Sequence, residues 1–153
     1  MPAIGNILPS EAAAVLATID PEAQGAATVV TDYCNLGLFE SVMFILLVGE
    51  MAATSTVDAV IKQATDASGT SAKNLTSSKA ITQLTQAGTD SDKQVIINVR
   101  AEDLDLDNDF DHVALSVTVG TAASDIACVA LGFNPRFAPA SDNDLASVDE
   151  IVS

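Results

Sequence analysis

The stretch that decides the fold is Leu38-Phe-Glu-Ser-Val-Met-Phe-Ile-Leu-Leu-Val-Gly49, the most apolar run in the chain. It carries no charge between Glu40 and Glu50, and glycines stand at both ends, at positions 37 and 49. A membrane-spanning helix needs about 20 apolar residues, so this run is too short to cross a bilayer. A short apolar run between turn residues is typical of a strand buried on both faces, although periodicity alone leaves a buried helix segment open. We interpret it as the central strand of a sheet sandwich.

Further strands are predicted on both sides of this run. The clearest is residues 113–119, where Val113, Leu115, Val117 and Val119 alternate with the smaller or more polar Ala114, Ser116 and Thr118. This alternation predicts a half-buried strand. Weaker patterns predict strands over residues 28–36, 55–65, 81–84, 93–100 and 126–133. Six or seven short strands without a long helical pattern predict a mainly β chain, an antiparallel β-sandwich that is jelly-roll-like or barrel-like, with at most short helices.

The two ends of the chain differ from this middle. Residues 1–27 are rich in Ala, Pro and Gly and are predicted to form an extended N-terminal arm, in which Ser10 could cap a short helix over residues 11–17. Residues 136–153 form an acidic C-terminal tail that is either a short helix or a loose segment. The predicted organisation is therefore an arm (1–27), a β-sandwich domain (28–135) and a tail (136–153).

Charge is the strongest compositional signal. Six Lys and Arg stand against 21 Asp and Glu, a formal net charge of −15 over 153 residues. Such a chain has no electrostatic attraction to phosphates or to anionic membrane surfaces, so neither nucleic acid nor membrane is an expected partner. The charge serves either as a solubility device or as an acidic face for a basic partner or a saline medium.

Two cysteines, Cys34 and Cys128, lie in apolar surroundings and are expected to be buried thiols, with a disulfide between them left open. The first residues show no basic segment followed by an apolar run, so no secretory signal is predicted, and the expected compartment is the cytoplasm of the producing cell.

The most suggestive polar cluster is a run of alternate aspartates, which can offer several oxygens to calcium. Its candidate ligands are Asp103, Asp105, Asp107 and Asp109. An EF-hand loop needs glycine at its sixth position and glutamate at its twelfth, and neither register of this run supplies them. The alternative is a solvated acidic turn with Leu104, Leu106 and Phe110 turned inward.

No catalytic constellation is found. His112 is the only histidine, no serine is placed beside it by a motif, and its expected place is the start of a strand. Cys34 has no basic neighbour in sequence that would lower its pKa for nucleophilic attack. We therefore predict no catalytic residue, no cofactor and no enzymatic activity.

Three blocks of the middle region carry a resemblance. They are Thr31-Asp-Tyr-Cys-Asn-Leu with the apolar run that follows, the segment 57–73 containing Gln63-Ala-Thr-Asp-Ala-Ser-Gly-Thr70, and the segment 95–113. Together, over residues 28–135, they resemble a group of small structural proteins encoded in tailed bacteriophages and prophages. The resemblance implies a virion component made in the host cytoplasm, a head decoration (cement) protein on the capsid surface that binds the major capsid protein.

Decoration proteins of this kind commonly act as oligomers, so the resemblance implies a homo-oligomer, with a trimer favoured over a dimer and residues 2–25 packed on a neighbour. Two other readings stay open. One is a phage tail or head-spike component, and the other is a calcium- or carbohydrate-binding β-sandwich module.

Overall fold

The computed structural model describes residues 7–75 and 79–153. It contains one short helix, α1, four 3-10 turns and ten strands. The bounds are α1 (Pro9–Ala12), β1 (Ala13–Gln24), β2 (Ala27–Val30), β3 (Cys34–Asn35), β4 (Phe39–Met51), β5 (Thr56–Ala64), β6 (Lys73–Asn74), β7 (Leu84–Thr85), β8 (Gln94–Arg100), β9 (His112–Gly120) and β10 (Ser124–Pro135). The 3-10 turns lie at Gln86–Gly88, Ala101–Asp103, Leu106–Asn108 and Ala140–Asn143.

The strands form two antiparallel sheets, which confirms the predicted sandwich. Sheet I has the order β1-β10-β4-β8, and sheet II has the order β2-β9-β5-β6, with β3 added to β9 and β7 added to β5. The pairing is nested along the chain, because β1 pairs with β10, β2 with β9, β4 with β8, and β5 with β6 and β7. A hairpin rolled up in this way, with its strands shared between two sheets, is a jelly roll.

The apolar run at the centre of the sequence is β4, which lies inside sheet I between β10 and β8. Its inward residues, Val42, Phe44, Leu46 and Val48, are at most 2% exposed and meet the inward residues of sheet II. The prediction of a strand is confirmed, but burial on both faces is wrong. Leu47 on the outward face is 42% exposed, because no described element covers it.

The opposite happens in β9, which was predicted to be half-buried. Ala114 and Ser116 on its outer face are as buried as the core residues between them. Both are small, and the register places the longer Lys62 opposite Ala114 and Val60 opposite Ser116 on the neighbouring strand. Cross-strand neighbours of this length shield a small side chain from solvent. Thr118 is exposed, as the alternation predicted.

The N-terminal segment is part of the sandwich. Residues 13–24, assigned from the sequence to an extended arm, form β1 at the edge of sheet I and pair with β10. The helix predicted for residues 11–17 is limited to Pro9–Ala12. The sandwich therefore begins at Ala13 rather than at residue 28. Residues 1–6 of the predicted arm lie outside the described residues.

The C-terminal tail is docked rather than loose. Ala140, in the 3-10 turn that opens it, is fully buried in the core. Further along, the Val15 N–H donates to Asp144 Oδ1 at 2.6 Å, and the Leu145 N–H donates to the Val15 carbonyl at 2.9 Å. The tail thus runs along the outer edge of β1. Within the described parts of the chain, no helix has the length and apolar character that a membrane crossing requires.

Candidate functional site

The outer face of sheet I is the surface that stands out from the rest of the molecule. Directly opposed residues on neighbouring strands point to the same face, so the strand register orders its side chains into rows. Three rows cross the sheet, namely Thr18–Val129–Ile45–Ile96, Val15–Leu131–Met43–Asn98 and Ala127–Leu47–Gln94.

None of the residues in these rows carries a charge, although the chain as a whole has a net charge of −15. The face is also accessible, since Ile96 is 59% exposed and Leu47 is 42% exposed, while Met43 and Ile45 are partly exposed. Charged side chains lie at its margins, at Glu22, Asp125 and Arg100. We refer to the residues of these three rows as the uncharged face.

The size of the uncharged face can be judged from strand geometry. Four strands about 4.8 Å apart, carrying three rows, cover roughly 300 Å². Patches of about 300–600 Å² are the largest that a typical monomeric protein exposes, and they often mark interaction sites. A stable interface between two proteins buries about 800 Å² on each partner, so this face alone supports a weak contact.

A shallow groove borders the uncharged face near Leu47. It is lined by residues of β1, β4 and β10, among them Pro21, Glu22, Leu47, Gly49 and Asp125. Its floor is apolar, and the two acids lie on the rim. The groove has neither a histidine nor a cysteine in its lining, so it offers no Ser–His or Cys–His pair.

The structure disperses the four candidate calcium ligands. Asp103 Oδ2 lies 2.7 Å from Lys79 Nζ, and Asp105 Oδ2 lies 2.7 Å from Lys73 Nζ. Asp107 and Asp109 are exposed on the following 3-10 turn. Among the residues described, no group of three or more acidic, histidine or cysteine side chains is arranged to hold a metal ion.

Two lysines thus pair with two of the aspartates in the acidic segment, residues 102–111. Partial burial of Asp103 opposes its charge, but hydrogen bonds from Lys79 and from the Arg100 N–H outweigh this and lower the pKa of that carboxyl. Hydrogen bonds from Lys73 and Asn108 lower the pKa of Asp105.

The acidic segment is also fixed from within the sandwich. The fully buried Gln63 of β5 accepts the Asp105 N–H through its Oε1 at 2.9 Å. Lys73 Nζ sits 4.0 Å from the centroid of the buried Phe110 ring. Leu104 and Phe110 are turned inward as predicted, whereas Leu106 is 52% exposed, contrary to the prediction. These contacts hold the acidic segment in place, so we interpret it as a structural loop.

His112 stands at the first position of β9, as expected from the sequence. Its Nδ1 lies 2.6 Å from Asp111 Oδ1. Among the described residues, no serine, threonine or cysteine side chain forms a hydrogen bond with this ring. The pair therefore forms a local contact at the end of the acidic segment.

The two cysteines are free buried thiols on opposite sheets, Cys34 on β3 and Cys128 on β10. Burial raises the pKa of Cys34 to about 12, and negative charge on Cys128 and Asp32 adds to this effect. Burial likewise raises the pKa of Cys128 to about 12. Thiols of this kind do not serve as nucleophiles near neutral pH.

Comparison with known proteins does not place this chain in a group. Neither the protein-family models nor the curated proteins gave a match to it.

Sequence reasoning did not find the uncharged face. Its residues belong to strands that were predicted individually, but their common surface appears only when the order β1-β10-β4-β8 is known. One signal was present in the sequence. Apolar residues at the odd positions Met43, Ile45 and Leu47, as well as at the even ones, mean that both faces of the strand are apolar.

Proposed function

We propose that the protein is a non-enzymatic structural component of a bacteriophage virion, a decoration (cement) protein that binds the outside of the major capsid protein lattice and stabilises the head. The observation that carries this proposal is the uncharged face on an otherwise strongly acidic molecule. Such a surface suits adhesion to an apolar region of a large partner, while the acidic remainder keeps the protein soluble.

The fold supports the proposal by analogy. Jelly rolls occur in viral capsid proteins, and also in lectins and cupins, so the fold alone does not select a function. A calcium-binding module would need clustered cation ligands, and a lectin-like module would need an aromatic platform for sugars. The site favours neither module. The candidate calcium ligands are dispersed, and the uncharged face carries aliphatic side chains where a sugar platform would carry aromatic ones.

Weak individual contacts suit a protein that acts in many copies. A face of roughly 300 Å² binds weakly by itself, but subunits tied together on a repeating lattice gain effective affinity without new contacts. We therefore keep homo-oligomerisation, as a trimer or a dimer, as part of the proposal. The proposed location is the surface of the capsid.

The test is quantitative mass spectrometry of purified virions produced from the genome that encodes this chain. A copy number comparable with that of the major capsid protein supports head decoration. A much smaller number indicates a vertex, spike or tail component, and absence from purified virions overturns the proposal.

The face itself is tested with capsids stripped of the protein. Leu47→Lys places a charge in the middle of the uncharged face and is expected to reduce rebinding at least about tenfold. Leu106→Lys is the matched control, because Leu106 is similarly exposed but lies in the acidic segment. Equal rebinding of both variants would exclude the uncharged face as the capsid contact.

A further inference from the structure

β8 is an edge strand of sheet I, and no described strand pairs with its outer edge. The Val48 N–H of β4 donates to the Lys93 carbonyl at 2.9 Å, so residue 93 points its backbone groups toward β4. Backbone groups alternate in direction along an antiparallel strand, so residues 95, 97 and 99 also bond to β4. Gln94, Ile96 and Asn98 therefore direct their N–H and carbonyl groups away from the sheet.

Only one end of this edge is capped by its own chain. Lys79 Nζ donates to the Asn98 carbonyl at 2.7 Å, and the Arg100 N–H donates to Asp103 Oδ2 at 2.8 Å. No described residue outside β8 bonds the backbone groups of Gln94 or Ile96. On the opposite edge of sheet I, the tail residues 144–145 bond to Val15 of β1.

We propose that β8 is a self-association edge, which pairs antiparallel with β8 of a second copy of this chain about a two-fold axis at Ile96. In this register, Ile96 faces Ile96 and Gln94 faces Asn98 of the other copy. Because the Asn98 carbonyl already accepts from Lys79, the remaining outward-directed groups of these residues would make about four backbone hydrogen bonds. The two four-stranded sheets become one continuous sheet of eight strands.

A second copy fits this edge because an antiparallel strand pair is self-complementary. Each copy presents the same donors and acceptors, which a two-fold axis brings together. Charge favours the same occupant. β8 contains no acid, so no two carboxylates face each other within the strand pair. The register also brings Arg100 opposite Asp92 of the other copy.

Pairing at β8 has a consequence for the uncharged face. Ile96 closes one row of that face, next to Ile45. Across the two-fold axis the rows of the two copies join, and the uncharged surface doubles to roughly 600 Å². The pairing itself rests only on the edge and its charge, and it stands whether or not the proposed capsid partner is correct.

The test is analytical ultracentrifugation of the full chain from about 1 µM to about 1 mM, the range of weak association. The wild-type chain is expected to form a dimer. Ile96→Pro removes an N–H that points away from β4, so the fold keeps its hydrogen bonds while the edge loses its central donor. Ile96→Lys places two like charges at the axis on an exposed side chain. Each is expected to weaken dimerisation at least tenfold.

Leu47→Lys is the matched control, since it adds the same charge to the uncharged face two strands away from the second copy and is expected to leave dimerisation unchanged.

Circular dichroism verifies that each variant is folded. If Ile96→Pro is unfolded, the result for Ile96→Lys alone tests the proposal. Hydrogen exchange provides an independent readout, because the Ile96 amide should become protected as concentration rises. A monomer at every concentration, or a dimer that both Ile96 variants leave intact, overturns the proposal. Loss of capsid binding by Leu47→Lys with dimerisation retained separates this inference from the proposed function.

Discussion

The Leu145 N–H donates to the Val15 carbonyl at 2.9 Å, and this bond ties the last part of the chain to its first strand. Asp144 completes the contact by accepting the Val15 N–H. The edge of β1 is therefore capped by the chain itself at Val15, whereas the edge of β8 is open over Gln94 and Ile96.

Deletion of residues 140–153 is expected to destabilise the fold. It removes the buried Ala140 from the core and two hydrogen bonds to Val15, for a loss of about 2–3 kcal/mol in the free energy of unfolding. Urea denaturation monitored by circular dichroism measures the loss. Deletion of residues 149–153, which are exposed, is the control. Equal stability of the two truncated chains would show that the docked tail contributes nothing.

The ion pairs of the acidic segment make stability depend on pH in the acid range. The pKa of Asp103 is lower in the folded chain than its ordinary value near 3.9. The stabilisation is therefore complete above that ordinary value and is lost as the pH falls through the lower folded value. Asp103→Asn is expected to unfold more easily than wild type at pH 7, and the difference should vanish at low pH.

Asp107→Asn is the control for this series, because Asp107 is exposed and makes no recorded contact with a lysine among the described residues. Its stability should follow that of the wild type at every pH. Urea midpoints measured between about pH 2 and pH 7 span the titration of aspartate. A constant difference between Asp103→Asn and wild type over that range would contradict the role of Lys79.

The two buried thiols are expected to resist alkylation in the folded protein. With a pKa of about 12 for Cys34 and Cys128, roughly one thiol in 10,000 is ionised at pH 8. Iodoacetamide labelling followed by mass spectrometry should be at least about 1,000-fold slower than in the chain unfolded in guanidinium, where the pKa returns to about 8.5. Rapid labelling of either cysteine in the folded chain would contradict the burial of that site.

Gly69 is expected to tolerate no side chain. Its φ is +79°, and a Cβ there would lie 2.7 Å from Cε2 of Tyr33. Gly69→Ala combines a left-handed backbone with a clash, and should cost about 2–4 kcal/mol of stability. Gly25→Ala is the matched control, because no atom lies within 4 Å of its added Cβ. Thermal unfolding of the two variants compares them directly.

A second variant separates the two causes. Tyr33→Ala with Gly69→Ala removes the clash and leaves the backbone strain of about 1–2 kcal/mol. The double variant should therefore lose less stability relative to Tyr33→Ala than Gly69→Ala loses relative to wild type. If Gly69→Ala costs the same stability in both backgrounds, its whole effect comes from the strained backbone.

The local patterns predicted the sandwich and most strands, but they did not predict what covers each strand. β4 is apolar throughout and was expected to be buried on both faces, yet Leu47 is exposed because no element lies over it. β9 alternates and was expected to be half-buried, yet Ala114 is covered by its longer neighbours. Burial of an outer face depends on sheet order, which a pattern of period two does not contain.

The N-terminal strand was missed for a different reason. β1 is rich in Ala and contains Pro21, which favour helix and turn rather than strand. Its register with β10 also shifts between Val15 and Ala17 and again between Ile19 and Glu22. Such bulges break the alternation on which strand prediction rests. Pairing with a distant strand, not local preference, determines its conformation.

The acidic segment shows what sequence reasoning could reach in a candidate site. Alternate aspartates in an extended segment repel one another unless an opposite charge lies beside them. The neutralising groups, Lys73 and Lys79, lie about 30 residues earlier in the chain and meet the aspartates only after folding. A loop held by distant ion pairs and a loop that binds a cation therefore share the same local sequence.

The nested strand order also sets when the protein can finish folding on the ribosome. β1 and β4 are synthesised early, but both pair with β10, the last strand of the sandwich to emerge. At roughly 5–20 residues per second, translation leaves these two strands without their shared neighbour for several seconds. During that interval β4, the most apolar segment of the nascent chain, has at most β8 as a neighbour in its sheet, so the yield in cells should depend on chaperones that shield β4 until translation is complete.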